Sequence, residues 1–234
     1  MAGTLYLIPV PLGPVSPDAC LPSDTLAVAR RLDHFVVERA KTARAHLKAM
    51  GHPLPMQQIE MCELNEHTPA SDIDALLAPL LVGHDVGLLS EAGCPAVADP
   101  GANLVRAAHR AGIPVVPLIG PSSILLALMA SGLGGQRFAF HGYLPAKEPE
   151  RSQRIRELEK TARRDRATQL FIETPYRAAT LLDALAQTLQ PDTLVSVGAD
   201  LTLPSQLIRT DAARNWLGRT DTIKDKLVVF GIGT

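Results

Sequence analysis

The chain has 234 residues, of which 46% are hydrophobic and 20% are charged, and its formal net charge is −1. This length suits two domains of about 100–120 residues each. The near-zero charge excludes a global basic field that would attract nucleic acid, and no apolar run reaches the roughly 18 residues of a membrane span. Three cysteines without a CxxC pair, and the lack of a signal-peptide pattern, predict a soluble, reduced, cytoplasmic protein.

Charge is divided unevenly between the two halves of the chain. Residues 1–122 hold 8 Lys and Arg against 12 Asp and Glu, whereas residues 123–234 hold 15 against 12. This asymmetry is mild and by itself decides no function.

Short apolar runs alternate with helical patterns along the whole chain, which is typical of βα units around a mostly parallel sheet. In the first half, strands are predicted at 4–8, 34–37, 59–62, 85–89 and 115–119, and helices at 24–31, 42–50, 71–81 and 102–111. The last of these helices has apolar residues at helical spacing and ends before Gly112, a suitable C′ residue.

The second half repeats the alternation. A helix that begins at Ser122 ends at the paired glycines of residues 132–135. Further strands are predicted at 138–141, 168–172, 194–197, 206–209 and 227–232, with helices at 150–164, 176–189 and 211–217. We therefore expect an N-terminal α/β domain at 1–120 and a C-terminal α/β domain at 121–234, with a ligand cleft between them.

Two loops that follow strands of the first half carry unusual residues. Residues 8–14 contain three prolines and Gly13, a rigid turn that presents carbonyl groups to a ligand or simply ends a strand. Residues 89–101 combine glycines, prolines and two carboxylates at a strand end, where ligands of such sheets bind. Glu91 or Asp99 can accept hydrogen bonds from ribose hydroxyls or an ammonium group. The alternative for Asp99 is a cap on the following helix.

Two further loops precede predicted helices. In Gly120-Pro121-Ser122-Ser123, Ser122 fits an N-cap, and the free N–H groups of the helix start either bind a polar ligand or are simply capped. In residues 172–177, Pro175 fits the first helical turn. Glu173 is then either solvated or held in the cleft, and Arg177 either pairs with it or reaches a phosphate.

Several other kinds of site are not expected. The seven histidines include no HxxxH or HxH pair, so no metal site is predicted. No GxSxG, Walker A or GxGxxG motif is present. Residues 151–166 hold seven Lys and Arg against three Asp and Glu, which indicates either a solvated helix or a surface that contacts a polyanion.

Taken in order, these motifs resemble the tetrapyrrole methylase family of S-adenosylmethionine (SAM)-dependent methyltransferases. The resemblance is greatest to its branch that methylates a ribose 2′-hydroxyl of ribosomal RNA. It spans about three quarters of the chain, and its most specific part is Glu91-Ala92-Gly93-Cys94-Pro95 followed by Asp99-Pro100-Gly101. Residues 3–7, 120–123, 138–145 and 173–177 match further blocks of the family.

The resemblance implies two α/β domains with SAM in the cleft between them, and a homodimer. It also implies which residues contact SAM, and it explains why the Rossmann-type glycine motif is missing. The implied contacts are Pro11, Gly13, Glu91, Ala92, Gly93, Cys94, Val97, Asp99, Ser122 and Ser123 from the first domain, with Leu144 and Ala199 from the second. Among the carboxylates, Glu38, Glu91 and Glu173 are candidates to activate a hydroxyl, and Arg177, Lys41 and Arg44 to position phosphates.

The chain departs from the RNA-modifying branch at three points. Residues 198–203 lack the arginine and lysine of the family's Arg-Glu-Leu-Thr-Lys run, Arg39 replaces an aspartate after Glu38, and Pro14 replaces an asparagine. Because these positions lie where an acceptor would bind, three functions stay open. They are methylation of RNA at a ribose hydroxyl, methylation of a tetrapyrrole or other small molecule, and SAM binding without catalysis in a regulatory protein.

Overall fold

The computed structural model of the chain describes residues 2–233, except for the side chain of Ala70. The chain divides into two units, Met1–Ser122 and Ser123–Thr234, and two five-stranded sheets are present. The predicted α/β class is confirmed. Within residues 2–233, none of the helices combines the length and the apolar composition that a bilayer span requires.

The first unit alternates strands and helices. Its strands are β1 (Leu5–Leu7), β2 (His34–Val37), β3 (Glu60–Glu63), β4 (Val86–Leu89) and β5 (Val115–Pro117). Its helices are α1 (Ser23–Arg31), α2 (Ala40–Ala49), α3 (Ala78–Leu81) and α4 (Ala102–Arg110). All five strands are parallel, in the order β3-β2-β4-β1-β5, so the carboxyl ends of β2, β4, β1 and β5 lie side by side along one edge.

Apolar side chains bury both faces of this sheet beneath helices. On one face, Leu26 of α1 and Leu47 of α2 belong to the same core cluster as Phe35. On the other face, Leu104 of α4 shares a cluster with Val36, the next residue of β2. All four residues of β4 are buried, as expected for a central parallel strand covered on both sides. This packing fixes the strand ends from which the loops leave.

The prediction of one continuous helix at 71–81 is wrong. The structure has 3₁₀ turns at Ala70–Asp72 and Asp74–Leu77, followed by the four-residue helix α3. Pro79 has no N–H group, and in a helix interior its ring clashes with the carbonyl four residues earlier. It is tolerated only because it lies in the first turn of α3.

The second unit has a mixed sheet. Its strands are β6 (Phe138–Tyr143), β7 (Thr168–Glu173), β8 (Leu194–Ala199), β9 (Leu207–Ala212) and β10 (Val228–Gly233), in the order β6-β7-β10-β8-β9. Its helices are α5 (Ser123–Ser131), α6 (Glu150–Asp165) and α7 (Pro175–Thr188). Side chains of α6 and α7 share a core with Phe171 and Phe230, whereas Ile124 and Leu128 of α5 pack on Leu170.

Two expectations for the second unit are wrong. Among the five described strands of this sheet, β6 and β7 pair in parallel, whereas β10 is antiparallel to β7 and β8, and β9 is antiparallel to β8. For β8 and β9 the reason is the link at residues 200–206, which is too short for the crossover that parallel strands need. The helix predicted at 211–217 is a single 3₁₀ turn, Ala213–Trp216. Strand β9 continues through Asp211 and Ala212, which pair with β8.

Candidate functional site

Three loops of the first unit meet at the carboxyl edge of its sheet. They follow β1, β4 and β5, and the first two are joined by a backbone bridge between Val10 and Gly93. The Val10 N–H donates to the Gly93 carbonyl at 2.9 Å, and the Gly93 N–H donates back at 3.1 Å. The third loop is attached through the Cys94 thiol, which donates to the Pro121 carbonyl oxygen at 3.4 Å.

Gly93 allows this close approach of loops. Its φ of +71° lies in the left-handed region, which costs a side-chain-bearing residue about 1–2 kcal/mol. A Cβ atom at this position would lie 3.1 Å from Cδ2 of Leu12, so the end of the Leu12 side chain, in the loop after β1, would have to move slightly. Glycine is therefore favoured here chiefly by the backbone conformation, and the tight contact with Leu12 adds to that preference.

The loop after β4 also places two alanines in the left-handed region. Ala96 has φ of +64° and Ala98 has φ of +63°. Backbone strain of this kind persists only where the surroundings impose it, and it clusters at ligand sites. Asp99 does not cap the next helix, since α4 starts after Gly101 without a side-chain cap.

Two carboxylates are brought together by the order of the strands. Glu38 follows β2 and Glu91 follows β4, and the Glu91 N–H donates to Oε2 of Glu38 at 3.3 Å. Helix α2 holds Glu91 from the other side. The Thr42 hydroxyl donates to Oε2 of Glu91 at 3.1 Å, and Nε2 of His46 lies 3.1 Å from the Glu91 carbonyl oxygen. Both side chains belong to an ordered polar network.

Asp99 completes a group of three carboxyl groups. Burial, reinforced by the negative charges of Glu38 and Glu91, raises the pKa of Asp99 to about 6 against the opposing effect of the Ser90 hydroxyl. Burial also raises the pKa of Glu38, although its hydrogen bond from the Glu91 backbone acts in the opposite direction. Such clustered, perturbed carboxyl groups are typical of functional sites.

These residues fit the cofactor that the sequence resemblance implies. SAM carries a cationic sulfonium and ammonium, together with ribose hydroxyls, and carboxylates are suitable partners for all three. Ser90 Oγ is buried and makes no hydrogen bond of normal geometry within the described part of the chain, although it lies close enough to Asp99 to influence its pKa. An unsatisfied buried hydroxyl beside a strained loop is consistent with a ligand partner.

The other first-unit residues predicted to contact SAM lie in the same three loops. Pro11 is buried, Gly13 and Cys94 are half-buried, and Ala92 and Val97 are exposed. Ser122 ends the first unit, and Ser123 is the first residue of α5. Lys41 and Arg44 are exposed on α2.

The predicted residues of the second unit form a separate polar arrangement. The Glu173 carboxylate is 1% exposed and forms an ion pair with Nη2 of Arg177 at 2.6 Å. It also accepts the Thr174 N–H at 2.7 Å. Arg177 donates to the Leu144 carbonyl oxygen at 3.3 Å, and Ala199 is buried at the end of β8. Glu173 thus holds the start of α7, and its catalytic role stays a prediction.

Two site residues were missed in the sequence. Thr42 and His46 contact Glu91, and they lie four residues apart on one face of α2. The four-residue spacing of Thr42 and His46 can be read from the sequence. Their contact with Glu91 cannot, because that contact depends on β2 lying next to β4.

Comparison with known proteins places the chain among methyltransferases. A family model described as Tetrapyrrole (Corrin/Porphyrin) Methylases matches residues 5–215. Ribosomal RNA small subunit methyltransferase I of Mesorhizobium japonicum is 34% identical over 228 residues, which are 96% of this chain and 74% of that protein. The Escherichia coli O157:H7 protein of the same name is 32% identical over 200 residues, which are 86% of this chain and 66% of that protein.

Solved structures share the fold at lower sequence identity. The methyltransferase CobJ superposes with a TM-score of 0.65 at 19% identity, covering 100% of this chain and 95% of the other. Uroporphyrin-III-C-methyltransferase from Thermus thermophilus gives a TM-score of 0.58 at 21% identity, covering 100% and 93%. At these identities the likeness establishes the fold alone.

Proposed function

Because this chain belongs to the tetrapyrrole methylase family and is an SAM-dependent methyltransferase, we propose that its methyl acceptor is a ribose 2′-hydroxyl of small-subunit ribosomal RNA. The observation that carries the proposal is the 34% identity, over 96% of the chain, to a protein named for that RNA. Uroporphyrin-III-C-methyltransferase from Thermus thermophilus, whose name gives a small-molecule acceptor, is only 21% identical, and the higher identity to the protein named for RNA favours RNA as the acceptor.

The three loops of the first unit hold the cofactor in this proposal. Glu91 and Asp99 accept hydrogen bonds from its hydroxyl or ammonium groups, and Ser90 supplies a further partner. Gly93 keeps the loops after β1 and β4 close enough to enclose it. Leu144 and Ala199 of the second unit, together with Ser122 and Ser123, remain predicted contacts that substitution can test.

Glu38 is proposed to accept the proton of the attacking hydroxyl. Bound SAM supplies a methyl group already activated by its sulfonium, so the protein contributes alignment and proton removal. Glu38 is half-buried, its pKa is raised by burial, and the Glu91 N–H orients its Oε2 atom. Of the three candidate bases, Glu91 accepts a hydrogen bond from Thr42 and Glu173 is paired with Arg177, whereas the hydrogen bond described for Glu38 comes from a backbone N–H.

A basic surface on α6 supports an RNA acceptor. Residues 151–166 carry seven Lys and Arg against three Asp and Glu. Arg156 and Lys160 are exposed four residues apart, on one face of the helix. Arg163 and Arg166 line a cavity of about 520 Å³ near the end of the same helix. Phosphates of an RNA backbone bind such surfaces with release of counterions.

The test is methyl transfer from SAM labelled in its methyl group to three acceptor pools: undermethylated 30S subunits, their purified RNA, and a small-molecule extract that contains tetrapyrroles. We expect label in RNA. Label in the small-molecule pool would show instead that the methyl acceptor is a tetrapyrrole or another small molecule. SAM binding without transfer to any pool would favour the non-catalytic regulatory function.

Charge reversal tests the α6 surface. The double variant R156E/K160E should raise the KM for RNA at least tenfold, weaken its salt dependence and leave SAM affinity unchanged. The matched control is R106E/R110E, which reverses two exposed residues four apart on α4 of the first unit. Equal losses in the two variants would refute a specific role for α6.

We also propose that the protein works in the cytoplasm as a homodimer, as the family resemblance implies. Light scattering of the purified protein, with and without SAM, tests the oligomeric state directly. A monomer at all concentrations used for activity would contradict this part of the proposal.

A further inference from the structure

The opposite, amino-terminal edge of the first sheet carries a cluster of metal-binding side chains. Asp33 and His34 lie at the start of β2, and His84 lies just before β4. Because β2 and β4 are neighbours, with His34 opposite Val86, residues fifty positions apart in sequence are brought together. One potential ligand atom from each of the three side chains lies within 4.8 Å of the other two.

His34 is held as metal-binding histidines are commonly held. Its side chain is only 15% exposed, and its Nε2 atom faces Oε2 of Glu60 on β3 at 3.3 Å. Its Nδ1 atom lies 2.7 Å from Oδ1 of Asp33. The ring centroids of His34 and His84 are 4.4 Å apart. Glu60 at Nε2 fixes the orientation of the imidazole, and Nδ1, which now contacts Asp33 directly, is the nitrogen that would share an ion with the Asp33 carboxylate.

Hydrogen bonds and an ion pair hold the backbone around His84 in place. The His84 N–H donates to the Pro79 carbonyl at 2.9 Å. The next residue, Asp85, accepts the Thr4 N–H at 2.8 Å and forms an ion pair with Arg31 at 2.8 Å. The turn that carries His84 is therefore positioned before any ion binds, which reduces the ordering required on binding.

We propose that Asp33, His34 and His84 bind one divalent transition-metal ion of the Zn²⁺ type, with Glu60 as an outer partner of His34. Two imidazole nitrogens and a carboxylate oxygen form a ligand set that suits Zn²⁺, with water at the remaining position. Ligand atoms of one tetrahedral Zn²⁺ lie about 3.3 Å apart, so small side-chain rotations close the cluster around an ion. The ion would link β2 to the turn before β4, and one coordination position would stay open to water.

The test is titration of chelator-treated full-length protein with Zn²⁺ by calorimetry, and with Co²⁺ by visible absorption. We expect one ion per chain, a rise in Tm on binding, and Co²⁺ absorption bands typical of nitrogen and oxygen ligands. H84A should abolish all three signals. E60Q should weaken binding about tenfold or more, through loss of the outer carboxylate.

Two controls separate this site from other metal-binding groups. H67A removes an exposed histidine that also lies beside a carboxylate, Glu66 at 3.5 Å, and should leave binding unchanged. C62S removes the exposed thiol of β3 and should likewise have no effect. Failure of wild-type protein to bind Zn²⁺ stoichiometrically, or equal losses in H84A and H67A, would overturn the proposal. Zn²⁺ binding is measured without SAM or RNA, so the result is independent of the proposed methyl acceptor.

Discussion

The main-chain N–H of Glu91 donates a hydrogen bond to Oε2 of Glu38, 3.3 Å away, and so joins the ends of strands β4 and β2. The negative charges of Glu38 and Glu91 also add to the effect of burial in raising the pKa of the third carboxyl group, that of Asp99. In the proposed function, Glu38 accepts the proton of the attacking hydroxyl, and Glu91 and Asp99 bind the cofactor.

Replacing Glu38 should strongly slow methyl transfer while leaving SAM binding nearly unchanged. We expect E38Q to lower the single-turnover rate constant of methyl transfer by about a hundredfold or more, since a positioned general base contributes about 10²–10⁴. The Kd for SAM should change less than threefold. Single-turnover methylation of RNA and calorimetry with SAM measure the two quantities. E60Q, at a glutamate of β3 whose side chain is 76% exposed, is the control, and an E38Q variant with the wild-type rate would remove Glu38 from the mechanism.

Asp99 should make the protein less stable at high pH. Its folded-state pKa, about 6, lies above its ordinary value of 3.8, so its contribution to stability is complete below the ordinary value and lost as the pH rises through about 6. We expect D99N to be more stable than wild type at pH 8, by about 1 kcal/mol after allowance for solvent screening. Urea unfolding at pH 4 to 8 measures this, and a D99N variant less stable at pH 8 would contradict the assignment.

Gly93 and Gly112 form a matched pair of left-handed glycines, with φ of +71° and +68°. Alanine at either position should cost about 1–2 kcal/mol of stability. Only G93A adds a Cβ near another loop, since nothing lies within 4 Å of a Cβ at Gly112. We therefore expect G93A to weaken SAM binding about tenfold and G112A to leave it unchanged, as measured by calorimetry. Equal affinities in both variants would mean that the contact between the loops is not needed for binding.

Arg177 should matter chiefly for stability of the second unit. R177L leaves the Glu173 carboxylate, which is 1% exposed, without its ion-pair partner, and should destabilise the unit by about 3–5 kcal/mol. The double variant E173Q/R177L should recover part of this loss. Urea unfolding followed by fluorescence of Trp216, the single tryptophan, reports on this unit.

The same variants test the predicted catalytic roles of Glu173 and Arg177. A folded E173Q/R177L protein that retains kcat would assign both residues to structure. An R177L variant as stable as wild type would instead show that the ion pair is unimportant for folding.

Much of the fold follows from local patterns in the sequence. The apolar run of β4 and the amphipathic pattern of α4, which stops before Gly112, fix those elements without tertiary information. The errors arise where another interaction decides. Pro79 interrupts a helical pattern, and Asp211 and Ala212 are recruited into β9 by pairing with β8.

The site was only partly predictable for a related reason. The loop of Glu91 and Asp99 is recognisable from its glycines, prolines and carboxylates after a strand. Its contact with Glu38, Thr42 and His46 depends on the strand order β2-β4-β1, which no local pattern contains. The approach of His34 to His84 arises from the same adjacency of β2 and β4 and was likewise hidden in the sequence.

The most direct test of the proposed function identifies the methylated atom. Undermethylated 30S subunits are incubated with the protein and SAM that carries a deuterated methyl group, and the RNA is digested to nucleosides for mass spectrometry. We predict deuterium in a single 2′-O-methylated nucleoside with wild-type protein, and at least about a hundredfold less with E38Q after the same short incubation. Deuterium on a base, or no transfer by wild-type protein that binds SAM, would contradict methylation of a ribose hydroxyl.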